Sequence, residues 1–137
     1  MFEIAGRLKD FFRNNRFEVI CFSVVLIFYA GNKFLFIPFL PEGKLHLFFS
    51  CFFNDFLCPI LFLPACCIIL KWAGVNIQSY WLLLLLIVIG GLTWEYLIPL
   101  FLVNKVSDMI DIIFYLVGMN VYYVLMYMTE RIVKKSK

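Results

Sequence analysis

Tyr80–Val103 reads YWLLLLLIVIGGLTWEYLIPLFLV, an apolar run broken by one charge, Glu95. A helix needs about 20 such residues to cross the hydrocarbon of a bilayer, so this stretch decides the fold class: an all-α, polytopic membrane protein. Within it, Glu95-Tyr96-Leu97-Ile98-Pro99 repeats, almost unchanged, the phrase Asp55-Phe56-Leu57-Cys58-Pro59 of another long apolar run. A carboxylate in hydrocarbon is unfavourable by roughly 2.5 to 3.5 kcal/mol on insertion scales, so each acid asks for a partner, a proton or an ion. Each proline, four residues on, removes the hydrogen bond to the acid's own carbonyl. Each site is therefore expected to set a carboxyl beside a freed backbone oxygen.

Composition points the same way. Hydrophobic residues make up 64% of the 137 residues and charged ones 15%, more apolar surface than a soluble domain of this size can bury. The net charge of +3 is better explained by membrane orientation than by a nucleic-acid partner. Cys21, Cys51, Cys58, Cys66 and Cys67 all lie in apolar runs without C-x-x-C spacing and read as small core residues. With one histidine and no clustered cysteines, no metal site or cofactor is expected.

Working outward, four spans are expected at residues 17–40, 45–70, 80–103 and 108–128, forming a single antiparallel four-helix membrane domain. Residues 2–16 place Ile4, Leu8, Phe11 and Phe12 on one face, as in an interfacial amphipathic helix, and residues 129–137 form a basic tail. Span 1 reads as an uncleaved signal anchor. Arg7, Lys9, Arg13, Arg16, Lys71, Arg131, Lys134, Lys135 and Lys137 fall on one side, leaving Lys33, Lys44 and Lys105 on the other. By the positive-inside rule both termini are cytoplasmic.

At ~1.5 Å per residue, Asp55 lies roughly 14 Å and Glu95 roughly 12 Å from the outer ends of their spans. The two carboxylates are thus expected at similar depth, facing each other between spans 2 and 3. Asp108 and Asp111 open span 4 on the same side, with Tyr115 one turn below Asp111. Asn54, Asp55, Glu95, Lys105, Asp111 and Tyr115 are the candidate residues of an outward-opening acidic cavity. Asp108 reads as a helix cap. His46 and Ser50 have dyad spacing, but nothing in the sequence supplies the oxyanion donors a hydrolase needs. Gly90-Gly91 marks a close-packing point.

Residues 90–120 carry an acid in one span (Glu95) and a basic residue in the next loop (Lys105). An aspartate (Asp111), a polar residue (Tyr115) and a glycine (Gly118) come after them. This order resembles the C-terminal signature of the VanZ-like family of small bacterial membrane proteins. Lysine stands here for the family's arginine and tyrosine for its asparagine; the glutamine after the acid is absent. Lys44 and His46 resemble the basic residue and histidine that open that family's second span. The resemblance implies a bacterial cytoplasmic membrane location and a role in the cell envelope or in resistance to lipid-anchored glycopeptides. It implies no established reaction.

Three functions remain open on the sequence. The cavity binds an envelope lipid headgroup, an amphiphile or a cation; or Glu95 or Asp111 is the general base of a lipid-modifying enzyme; or the chain is a proton or cation pathway as a homo-oligomer. Membrane lipid is the expected partner in each.

Overall fold

Where side chains are apolar on every face, the polar groups needing partners are those of the backbone, and a helix satisfies them internally. The computed structural model describes residues 10–75, 77–101 and 109–135, and every described element is helical. Four helices are long and apolar enough to cross a membrane: span 1 (Arg16–Phe39), span 2 (Lys44–Trp72), span 3 (Tyr80–Leu100) and span 4 (Met109–Ile132). Their bounds agree with the hydropathy reading within a few residues. Span 4 differs most, because its helix continues to Lys135, so Arg131 and Lys135 ride on the helix. Of the expected amphipathic helix, residues 10–14 are helical, whereas residues 2–9 lie outside the described residues. So do Lys105 and Asp108.

Three spans depart from α geometry at the end that carries Lys44. Span 1 passes from α-helix (Arg16–Gly31) to a π turn at Asn32–Phe36 and a 3-10 turn at Ile37–Phe39. Span 3 does the same, with α-helix Tyr80–Leu92, π turn Thr93–Leu97 and 3-10 turn Ile98–Leu100. In both, the isoleucine N–H just before the proline reaches back to the first residue of the π turn, Ile37 to Asn32 and Ile98 to Thr93. A proline ring clashes with the carbonyl four residues earlier, and the wider turn shifts that carbonyl aside. Span 2 begins with a short helix, Lys44–Leu47, and a π turn, Phe48–Phe52, before its α-helix Phe53–Trp72 accommodates Pro59 and Pro64.

At the other end span 2 closes in a regular cap. Past Trp72 the chain turns through Gly74 at φ 80°, where Gly74 N–H reaches the Lys71 carbonyl and Val75 N–H the Leu70 carbonyl. This is the Schellman stop that a glycine permits and a β-carbon resists.

Span 2 packs most extensively on span 4; span 1 lies against span 2 and span 3 against span 4, with little contact between spans 2 and 3. The seam between spans 2 and 4 is the core, where Leu63, Met119, Tyr122 and Cys67 are almost wholly buried. At Gly118 the seam admits no side chain: an added methyl would collide with the Phe56 carbonyl oxygen and sit 2.5 Å from Pro59 Cγ. Small residues let helices approach this closely.

Candidate functional site

Glu95 occupies the middle of the span 3 π turn. The extra residue in such a turn rotates the next stretch of helix by roughly 100° relative to an unbroken one. Glu95 turns inward at 5% exposure, while its neighbours Trp94 and Tyr96 stay exposed. Its Oε1 accepts a 2.8 Å hydrogen bond from the hydroxyl of Tyr115, itself buried on span 4.

Two glycines seat that tyrosine. A β-carbon at Gly91, one turn below Glu95, would stand 3.2 Å from Tyr115 Cδ2, so the ring lies directly on span 3 backbone. Gly118, one turn beyond Tyr115, lets span 4 close on span 2. Asp55 and Glu95 both lie within charge-interaction range of the Tyr115 hydroxyl and the Cys58 thiol, so spans 2, 3 and 4 converge on one acidic cluster.

Just beneath the cluster is a groove of about 100 Å³, partly open to the surface, whose lining includes Phe62, Ile87, Gly90, Gly91 and Trp94, with Tyr115 as its polar edge. It is lined almost wholly by carbon, and neither Asp55 nor Glu95 is among its lining residues.

Of the remaining candidates, Asp111 is half-buried in the first turn of span 4, where it interacts with neighbouring groups. Lys105 lies outside the described residues. Asn54 is engaged elsewhere. Asn32 Nδ2 donates to Asn54 Oδ1 at 2.9 Å and to the Phe49 carbonyl at 2.7 Å, while Asn54 Nδ2 donates to the Ser50 carbonyl at 3.0 Å. This carboxamide junction ties span 1 to span 2. Ser50 donates its hydroxyl to the Leu47 carbonyl at 3.2 Å, a local turn bond. Among the described residues no group of His, Cys, Asp and Glu could hold a metal ion.

Two buried polar contacts escaped the sequence reading. Asn32, a polar residue within the apolar run of span 1, is 2% exposed and faces Asn54. Glu18 was passed over at the span boundary, although it is buried and bonded to Lys71 Nζ at 2.5 Å. The signal was available: Glu18 begins span 1 and Lys71 ends span 2, so a helical hairpin brings opposite charges to one level. Near them Tyr122 donates to Cys67 Sγ at 3.6 Å.

Comparison with protein-family models, curated proteins and solved structures finds no match to this chain.

Proposed function

We propose that the chain is a multi-pass protein of the bacterial cytoplasmic membrane, of VanZ-like type. Its four spans insert as an antiparallel bundle with both termini cytoplasmic, and its acidic cluster at the outer end binds an envelope amphiphile through its headgroup. The observation that carries this reading is Glu95, buried, held by the Tyr115 hydroxyl, with Asp55 nearby and a carbon-lined groove immediately beneath. An acid above an apolar slot suits a molecule with a cationic or hydroxyl-rich head and a hydrocarbon tail. A bare cation would use the acids and leave the slot without a role. The order Glu95, Lys105, Asp111, Tyr115, Gly118 adds the resemblance to a cell-envelope family.

Two experiments test the proposal. For function, Glu95→Gln should abolish protection against lipid-anchored glycopeptides at unchanged protein level, because amide for acid keeps shape and removes charge. A Glu95→Gln, Asp111→Asn double variant that is folded and fully protective overturns the reading, as does a deletion without envelope phenotype. For topology, an external thiol reagent should label Lys105→Cys and spare Ser136→Cys in a cysteine-free background. The reverse pattern overturns the orientation.

A further inference from the structure

A second groove lies at the other end of the molecule, at the entry to span 1. It is a shallow depression of about 410 Å³, open to the surface, lined by Phe12, Arg13, Arg16, Val19 and Ile20. We propose that it is a binding site for an anionic phospholipid, whose phosphate is held between Arg13 and Arg16 and whose first acyl carbons lie along Val19 and Ile20. This rests on the membrane-spanning reading of span 1 and is independent of the acidic cluster.

The chemistry is graded along the helix. Arg13 and Arg16, three residues apart, share a face, and Val19 and Ile20 continue it one turn further into the apolar span. Ile20 is 60% exposed and Phe12 47%, so the groove offers open hydrocarbon below two accessible guanidinium groups. A phosphate at the membrane interface presents the paired oxygens that guanidinium forks match, and its acyl chain descends where the apolar residues are. The nearest acid on span 1, Glu18, is buried against Lys71 and does not neutralise the groove. Asp10 does bind Arg13, at 2.9 Å, but both side chains are more than half exposed. Such a surface pair contributes little and exchanges readily for a phosphate.

The test is spin-labelled phosphatidylglycerol against spin-labelled phosphatidylcholine, with the full chain in mixed vesicles of these two lipids. The wild type should hold the anionic lipid in its motion-restricted shell with about fivefold preference, falling toward unity in Arg13→Gln, Arg16→Gln. Arg131→Gln, Lys135→Gln removes as much charge from the same end. There the Arg131 guanidinium sits 4.7 Å over the Tyr127 ring, and the preference should survive. Asp10→Asn, which frees Arg13, should raise it. Equal losses in the two double variants would show diffuse attraction and overturn the site, as would a wild type without preference. Arg13→Lys, Arg16→Lys keeps the charge if the glutamine variant fails to fold, and should still lose most of the preference because the forks are gone. Resistance of the wild-type chain to alkaline extraction from the vesicles reports insertion separately, so a chain that inserts but shows no lipid preference refutes this site alone.

Discussion

Spans 1 and 3 end in the same backbone device, a π turn and then an Ile-Pro 3-10 turn, yet the buried polar side chain each device carries has a different character. On span 1 it is Asn32, whose amide nitrogen is spent on two acceptors of span 2. On span 3 it is Glu95, which accepts from Tyr115 of span 4 beside a second acid and a thiol. The first junction is a neutral cross-link made through the Asn32 amide nitrogen, while its Oδ1 is buried without a hydrogen-bond partner. The second gathers ionisable groups above a groove, an arrangement that helix registry alone does not require. One frame thus carries a neutral cross-link on one span and an ionisable one on the other.

The comparison is most easily broken by exchanging the character of the side chains. Asn32→Asp places acceptors where a donor now serves the Phe49 carbonyl and Asn54 Oδ1, and an uncompensated buried charge should destabilise by about 3–5 kcal/mol. Thermal unfolding in detergent measures it. A variant as stable as wild type would mean that the first junction tolerates charge and differs little from the second. Gly118→Ala attacks the seam on which both junctions depend. It forces a methyl against the Phe56 carbonyl and should lose about 1–3 kcal/mol. If its melting temperature held, the close approach of spans 2 and 4 would be wrong.

Smaller effects sharpen the contrast. Tyr115→Phe withdraws one donor from Glu95 and should lower stability by about 1–2 kcal/mol. In a double-mutant cycle with Glu95→Leu, which removes the acceptor, a coupling near zero would refute the hydrogen bond. Glu95→Gln alone should change stability by less than about 1 kcal/mol, since its amide oxygen still accepts from Tyr115. Its effect should appear in envelope protection and not in the melting temperature.

The four spans were legible because their signal is length and composition, which local geometry cannot obscure. The repeated acid-aromatic-Leu-x-Pro phrase was a poorer guide. Asp55 and Pro59 lie in continuous α-helix, whereas Glu95 and Pro99 fall in a π turn and a 3-10 turn, so similar words adopt different backbones. The repeat in three dimensions instead joins Asn32–Phe39 to Thr93–Leu100, and its shared letters are little more than Ile37-Pro38 and Ile98-Pro99. A π turn inserts one residue into the helical period, and a chain apolar on all faces carries no stripe in which that shift could be seen. Glu95 and Tyr115 were expected in one cavity, and they are hydrogen-bonded. Depth arithmetic could not tell which helix stands beside which, so Asp55 and Glu95 were set across an interface that is slight in the structure.

The pairing of span 2 with span 4 also has a meaning in time. A ribosome delivers span 1 and span 2 first, and these two can already join Glu18 to Lys71 and Asn32 to Asn54, one contact near each end of the hairpin. The surface around Pro59 that will receive Gly118 must wait until span 4 has been made. The early cross-links are available to keep spans 1 and 2 in register during that interval, and the acidic cluster is completed only when Tyr115, on span 4, arrives.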